Sequence, residues 1–244
     1  MLTIYHTNDL HNSLTEGRAA LLRGLKEQSP DTLLLDAGDA IWAGNVFVRP
    51  GGEPALKLMS DAGYDAMTVG NREFHFLQSG LRHKIGWARF PVICANIRPT
   101  KAGTSVPVVA YISREIAEMR VAIMGLTVRM ITERMLARRI SDYVFDDPVK
   151  VAVGLAQELR HTHDLVIALT HIGLKEDRRL ADEVPGIDLI IGGHTHALLE
   201  SPELVNGTAI VQAGSRGRQV GWVEVEKHGT KASVRGGVKE LRDQ

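Results

Sequence analysis

Two histidines separated by one residue follow a short apolar run in the last quarter of the chain. Gly192-Gly193-His194-Thr195-His196 comes directly after residues 187–191, a run typical of a buried strand. Imidazole is the commonest metal ligand in proteins, and two imidazoles one residue apart can point at two different ions. The preceding glycines let the backbone turn sharply and approach an ion closely. A lone His-x-His is a weak signal, so the rest of the chain must support a metal site.

Metal-capable side chains also follow four other apolar, β-prone runs. In chain order they are Asp9 and His11 after residues 2–5, Asp39 after residues 33–35, Asn71 after residues 66–69, and His171 after residues 165–170. Ligands bind at the carboxyl ends of strands in open α/β sheets, so these distant segments should converge on one site. Any one of these residues alone would more simply be a hydrogen-bonded loop residue. Five such strand ends together predict a metal centre.

The candidate ligands are too many for one ion and indicate a centre with two. They are Asp9, His11, Asp39, Asn71, His171, His194 and His196. Two nearby cations repel strongly, so a bridging carboxylate is needed, and Asp39 in its Gly-Asp turn is the natural candidate. This mixture of carboxylate, imidazole and amide oxygen suits Mn²⁺, Fe, Zn²⁺ or Co²⁺ better than Mg²⁺, and we favour Mn²⁺. Two ions about 3.5–4 Å apart can bind a phosphoryl group, activate a water and stabilise the leaving oxygen.

Composition predicts an ordinary soluble protein. The 244 residues are 44% apolar and 24% charged, and the net charge is zero, so no global field favours nucleic acid or an anionic membrane. Cys94 is the one cysteine, which excludes an intrachain disulfide, and its apolar setting predicts a buried, inert thiol. No apolar stretch approaches the roughly 18–20 residues of a membrane span, and the chain enters its first strand without a signal peptide. We therefore expect a cytoplasmic protein, with the oligomeric state open.

Apolar periodicity predicts an α/β chain whose later part is richer in antiparallel strands. Helices are expected at residues 18–28, 53–62, 77–85 and 147–161, the last with Asp147 as its N-cap. Antiparallel strands are expected at residues 106–112 and 120–126, and further strands at 164–170 and 188–191. Residues 208–213, 221–226 and 231–238 resemble a β-meander. Because the ligand-bearing strand ends span most of the chain, we expect one domain covering residues 1–244.

The five segments together resemble the motif set of the calcineurin-like metallophosphoesterases: Asp-x-His, Gly-Asp, Gly-Asn-His-Asp/Glu, His and Gly-His-x-His. His-Thr-Asn-Asp-Leu-His at residues 6–11 and Tyr-Asp-Ala-Met-Thr-Val-Gly-Asn at residues 64–71 are similar to the 5′-nucleotidase branch in particular. The resemblance covers residues 2–225. It implies a β-sandwich of two mixed sheets flanked by helices, and hydrolysis of phosphomonoesters or phosphodiesters by a metal-activated water.

The resemblance also implies how the ligands divide between two ions. One ion would be held by Asp9, His11, Asp39 and His196, and the other by Asp39, Asn71, His171 and His194.

Arg72 departs from the family pattern, because the family carries there a histidine that acts near the leaving oxygen. Arginine cannot serve as a proton donor near neutral pH, but its guanidinium can hold a phosphate oxygen. We favour that phosphate contact over a structural pair with Glu73 or another carboxylate. His75, three residues on, is a second candidate catalytic residue that could share a face with Arg72; the simpler interpretation is an exposed loop histidine.

Length is the second departure. Secreted 5′-nucleotidases similar to this chain carry a further C-terminal domain that stacks the nucleobase, whereas this chain stops at Gln244. Its aromatic content of 5% offers no obvious base platform, so we expect no substrate selection by that route.

The leading functional hypothesis is a dinuclear phosphohydrolase acting on a small phosphate ester, with a nucleotide as one candidate. Two alternatives stay open. One is a phosphodiesterase, for instance on cyclic nucleotides; the other is a metal-bound ligand sensor or scaffold whose catalysis has weakened at Arg72.

Overall fold

The computed structural model describes residues 1–228 and 231–242. The strands, in chain order, are β1 (Leu2–Thr7), β2 (Thr32–Asp36), β3 (Ala66–Thr68), β4 (Val92–Ile93), β5 (Ile97–Pro99), β6 (Tyr111–Ile116), β7 (Met119–Thr127), β8 (Tyr143–Phe145), β9 (Leu165–His171), β10 (Leu189–Ile191), β11 (Glu203–Val205), β12 (Thr208–Val211), β13 (Gln219–His228) and β14 (Lys231–Glu240). The helices are α1 (Glu16–Lys26), α2 (Pro54–Ala62), α3 (Gln78–Ile85), α4 (Pro148–Arg160) and α5 (Leu174–Glu183), with a 3₁₀ turn at Leu136–Arg139.

Two large mixed sheets form the centre of the fold. The first has the order β14-β13-β1-β2-β3-β4, in which β1 to β4 are parallel and β13 and β14 are antiparallel. The second has the order β11-β12-β10-β9-β7-β6, with β7, β9, β10 and β12 parallel. The predicted fold, two mixed sheets flanked by helices, is confirmed.

Alternating side chains build the layers of this sandwich. Leu33 and Leu35 on β2 point between the sheets and pack with Ile167 and Leu169 of β9, whereas Leu34 points outward. The outer face of the first sheet packs against α1, α2 and α3, and that of the second against α4 and α5. Because side chains alternate across a strand, the apolar run at the centre of β2 is buried on both faces.

The helices begin and end within two residues of their predicted positions. Asp147 caps α4 as predicted, since its side chain accepts hydrogen bonds from the backbone N–H groups of Val149 and Lys150. Cys94 is buried, and burial raises the pKa of its thiol to about 12, in agreement with the predicted inert cysteine. None of the helices in the described part of the chain combines the length and apolar character that a membrane span requires.

Two strand predictions were wrong. Residues 208–213 do not form a meander with the last two strands: β12 lies in the second sheet, parallel to β10, while β13 and β14 extend the first. All four residues of β12 are buried, which suits an inner parallel strand covered on both faces. The strand expected at residues 106–112 begins only at Tyr111 and extends to Ile116, because pairing with β7 includes the partly exposed segment Ser113-Arg114-Glu115.

Candidate metal centre

The carboxyl ends of five parallel strands, three from one sheet and two from the other, meet at one end of the sandwich. Asp9 and His11 follow β1, Asp39 follows β2, Asn71 follows β3, His171 ends β9, and His194 and His196 follow β10. Two hydrogen bonds join the sheets here: the His171 ring Nδ1 lies 2.7 Å from the Ala37 carbonyl, and the His194 N–H donates to Asp9 Oδ2 at 2.9 Å. The structure therefore brings all seven predicted ligands together.

Asp9, His11 and His196 form the first cluster of ligand atoms. Asp9 Oδ1 lies 3.3 Å from His196 Nε2 and 3.9 Å from His11 Nε2, and the two ring nitrogens are 3.2 Å apart. Asp9 Oδ1 is buried and has no hydrogen-bond partner among residues 1–228 and 231–242. The other oxygen of this carboxylate is held by Asn8 Nδ2 at 2.7 Å and by the His194 N–H. A buried, unpaired carboxylate oxygen facing two imidazole nitrogens is suited to a cation.

Asn71, His171 and His194 form the second cluster. The Asn71 Oδ1 atom lies 3.2 Å from His171 Nε2 and 3.1 Å from His194 Nδ1, and the two ring nitrogens are 3.3 Å apart. Asp39 Oδ1 lies 3.5 Å from His171 Nε2. Ligand atoms of Asp9, Asp39 and His171 also fall within 4.8 Å of one another, so carboxylates lie between the two clusters. This is the placement that a bridging carboxylate requires.

Several of these ligands sit on strained backbone. The φ angles of Asp9, His11, Asp39, His194 and His196 are 51°, 48°, 56°, 78° and 56°. Residues other than glycine rarely adopt this left-handed region, and each such residue costs about 1–3 kcal/mol. Contacts with the surrounding fold must hold these residues in their left-handed conformations. Such restraint is typical of a site whose ligand side chains are positioned before binding.

Glu73 holds the two loops of the first sheet against each other. Its carboxylate accepts hydrogen bonds from the backbone N–H groups of Gly70, Asp39 and Ile41 at 2.8, 3.0 and 3.2 Å. Burial, together with the charge of Asp39, raises the pKa of Glu73 to about 7. Glu73 therefore positions the loop that carries Asp39 and does not pair with Arg72.

Asp39 and His171 interact electrostatically across the site. Burial alone would lower the pKa of His171, but the Asp39 carboxylate outweighs burial and raises it to about 9. Burial would raise the pKa of Asp39, but the hydrogen bond and charge of His171, the Arg72 N–H and His11 together outweigh burial and lower that pKa. A carboxylate that stays ionised next to imidazole nitrogens is the donor set of a divalent cation.

Arg72 lies at the rim of the centre. Its backbone N–H donates to Asp39 Oδ1 at 2.7 Å, and its side-chain Nε lies 4.0 Å from Asp39 Oδ2. The guanidinium packs over the ring of Trp42 at 5.3 Å, and the side chain is 37% exposed. The side chain is therefore available to a ligand at the edge of the metal clusters.

His75 is buried, so the expectation of an exposed loop histidine was wrong. Its Nδ1 accepts the backbone N–H of Leu77 at 3.0 Å, and a Cβ atom on Gly80 would lie 2.2 Å from that nitrogen. These contacts attach His75 to the start of α3. A catalytic role for His75 stays a prediction.

The sequence analysis did not predict the positioning roles of three residues around the metal ligands. Asn8 orients Asp9, Glu73 fixes the Asp39 loop, and Trp42 lies with its ring centroid 5.8 Å from that of His11. Asn8 is adjacent to the predicted ligand Asp9, and Glu73 stands two residues after the predicted ligand Asn71, which is the signal that could have found them. Trp42 stands three residues beyond Asp39, and its sequence context offers no such signal.

Fold and ligand set together define a two-sheet α/β protein with a histidine-carboxylate metal centre. The chain belongs to the calcineurin-like phosphoesterase family, whose model matches residues 2–198. That family implies divalent metal ions, and the residues present fit them, since buried Asp9 Oδ1 and six further side chains supply oxygen and nitrogen donors.

Named relatives place the chain near the 5′-nucleotidases. It is 32% identical to the trifunctional nucleotide phosphoesterase of Bacillus subtilis, over 92% of this chain and 18% of that protein. It is 31% identical to the 5′-nucleotidase of Vibrio vulnificus, over 92% of this chain and 48% of that protein. A 5′-nucleotidase precursor from Thermus thermophilus superposes with a TM-score of 0.85 at 27% identity, covering 98% of this chain and 54% of the other. These relatives are named as phosphoesterases or nucleotidases, and the chain spans about half of their length or less.

Proposed function

We propose that this chain is a dinuclear metal-dependent phosphohydrolase that cleaves a small phosphomonoester, with nucleotides as the favoured substrates. The observation that carries the proposal is the buried, unpaired Asp9 oxygen facing His11 and His196, beside a second cluster of Asn71, His171 and His194 around Asp39. The names of the relatives support nucleotides. We also propose Mn²⁺ as the metal and the cytoplasm as the location.

The roles of the side chains follow from their positions. Asp9, His11 and His196 would hold one ion, and Asn71, His171 and His194 the other, with Asp39 shared. When bound, two such ions would supply positive charge that polarises a phosphoryl group and lowers the pKa of a water. Arg72, at the rim, would hold a phosphate oxygen through its fork of N–H donors. Glu73 would keep the Asp39 loop in place through its three backbone hydrogen bonds.

Metal depletion and reconstitution test the proposal. The protein is dialysed against chelator, reloaded with Mn²⁺, Co²⁺, Zn²⁺ or Ca²⁺, and assayed with para-nitrophenyl phosphate and bis-para-nitrophenyl phosphate. We expect hydrolysis of the monoester to vanish with chelator and to return with Mn²⁺ or Co²⁺ more than with Ca²⁺, because imidazole ligands disfavour a large, hard cation.

Two variants make the test specific to the centre. His196→Ala should abolish reconstitution, whereas His161→Ala, at an exposed histidine after α4, should not. Hydrolysis that survives long dialysis against chelator would exclude a metal mechanism. A strong preference for the diester would favour the phosphodiesterase alternative, and metal binding without turnover of either ester would favour the scaffold.

A further inference from the structure

A cavity of about 430 Å³ opens beside the candidate metal centre. The lining residues that matter here are Asn12, Trp42, Phe47, Arg49, Glu53 and Arg72. Trp42 also touches His11, and the Arg72 side chain approaches Asp39, so the cavity lies next to the ligand clusters. Its volume lies within the usual range of small-molecule sites, about 300–1,000 Å³.

Unpartnered polar atoms concentrate in this cavity. Glu53 is 1% exposed and interacts electrostatically with the buried Lys84 ammonium, but neither of its carboxylate oxygens has a hydrogen-bond partner within the described ranges 1–228 and 231–242. The same holds, over the same ranges, for Asn12 Oδ1 and Arg72 Nε. Buried acceptors without partners are costly, so they indicate a ligand that brings its own donors.

The other lining groups restrict what that ligand can be. Trp42 and Phe47 are 53% and 57% exposed, so both rings have open surface against which a flat group can stack. Arg49 and Arg72 line the same space and disfavour a cationic ligand. The donors that reach Glu53 should therefore be neutral, and the open aromatic faces favour N–H groups carried on a planar ring.

The walls of the cavity are held by buried contacts. The Lys84 ammonium is buried and donates to the carbonyls of Gly44, Arg72 and Phe74 at 2.7, 2.8 and 2.9 Å. Gly52, with φ of +84°, lets the chain before Glu53 pass so close to Trp87 that a Cβ atom would lie 2.4 Å from its ring. These contacts tie the Trp42 loop and Glu53 to α2 and α3.

We propose that this cavity is a nucleobase subsite within the domain that carries the metal centre, and that Glu53 selects a base with two adjacent N–H donors, as guanine has. The base would stack on Trp42 or Phe47, a sugar hydroxyl would donate to Asn12, and the phosphate would lie at Arg72 and the ligand clusters. The nucleotide in this inference rests on the proposed phosphohydrolase function. The preference for guanine rests on Glu53.

Hydrogen-bond complementarity predicts the direction of selectivity. A carboxylate accepts both donors of the guanine edge, whereas the adenine edge places a ring nitrogen acceptor against one carboxylate oxygen. A bidentate pair discriminates against the wrong base by about 5-fold to 150-fold. Glu53→Gln changes one acceptor into a donor, and that pattern matches adenine.

Binding to metal-free protein tests the inference without turnover. Guanosine and adenosine 5′-monophosphates are titrated calorimetrically in the presence of chelator, so that the shared phosphate contributes equally and the ratio of Kd values reports the base. We expect wild-type protein to bind the guanine nucleotide at least about tenfold more tightly. Glu53→Gln should remove or invert this ratio, while Glu27→Gln, at an exposed glutamate after α1, should keep it.

Phe47→Ala is a second variant, at an exposed side chain whose loss should not prevent folding. It should weaken the binding of both nucleotides by about 5-fold to 150-fold while leaving the ratio of their Kd values unchanged, as for other aromatic residues that stack bases. The kcat/KM ratio for the two nucleotides, normalised to para-nitrophenyl phosphate in each preparation, should follow the Kd ratio.

The inference is overturned if wild-type protein binds both nucleotides with Kd values within about twofold, or if the guanine preference persists in folded Glu53→Gln protein. In that case hydrolysis of para-nitrophenyl phosphate can continue, and the proposed function stands. Loss of all hydrolysis with every metal would instead overturn the proposed function. The ratio of Kd values for the two nucleotides would still show whether Glu53 discriminates between guanine and adenine.

Discussion

Replacement of Arg72 tests whether this chain hydrolyses phosphate esters without a dedicated proton donor. The backbone N–H of Arg72, not its side chain, bonds Asp39 Oδ1, so substitutions leave that contact to the shared carboxylate intact. What changes is a guanidinium whose Nε lies 4.0 Å from Asp39 Oδ2 and has no hydrogen-bond partner among residues 1–228 and 231–242. The variants Arg72→Ala and Arg72→His therefore separate charge from proton donation at one position.

Two magnitudes follow from this geometry. A charged hydrogen bond to phosphate contributes about 1.5–3 kcal/mol, so Arg72→Ala should lower kcat/KM by about 10-fold to 150-fold for every monoester. General acid catalysis contributes about 10²–10⁴-fold, and arginine cannot supply it near neutral pH. Wild-type protein should therefore hydrolyse aryl phosphates much faster than alkyl phosphates. Arg72→His should narrow that gap by improving the alkyl ester selectively.

The assay measures kcat/KM for a matched aryl and alkyl phosphate across pH, with metal content determined in every preparation. Unchanged kcat/KM for both esters in Arg72→Ala would show that the guanidinium does not touch substrate. His75→Asn is the companion variant, because an amide oxygen can still accept the Leu77 N–H. If wild-type protein shows no leaving-group dependence and His75→Asn loses the alkyl activity, then His75 is the acid.

Three further predictions concern the metal centre and the buried groups around it. Asp39→Ala should lose both metal ions by elemental analysis, because this carboxylate lies between the clusters; retention of both would remove its bridging role. Burial lowers the pKa of His6 to about 3, whereas the pKa of histidine in the unfolded chain is about 6.5. The stability that the neutral ring contributes is therefore fully present above about pH 6.5 and is lost as pH falls, because the unfolded chain then binds a proton that the folded protein does not. Wild-type protein should thus lose about 2 kcal/mol more unfolding free energy than His6→Asn between pH 6.5 and 5, and parallel denaturation curves would contradict this. Lys84→Met removes the donor to three carbonyls and should cost at least about 3 kcal/mol in urea unfolding, whereas an unchanged midpoint would mean that these carbonyls find other partners.

The ligand set could be predicted from the sequence because metal chemistry restricts residue type and the fold restricts position. Asp9, Asp39, Asn71, His171 and His194 each follow an apolar strand, and parallel strands place their carboxyl ends at one edge. Helix positions were equally accessible, because the apolar periodicity and the Asp147 cap are local signals.

The partners of each strand, the strain at the ligands and the cavity depended on tertiary structure. The run at residues 208–211 is compatible with either sheet, and only burial between β10 and β11 assigns it to the second. The positive φ angles of Asp9 and His194 are imposed by contacts between the two sheets. In the sequence, Glu53 is only the residue before a predicted helix. Packing of α2 and the Trp42 loop buries its carboxylate, which has no hydrogen-bond partner in the described chain. Local residues determine which atoms can bind a ligand, but the environment of each atom depends on segments that are distant in sequence and meet only in the folded protein.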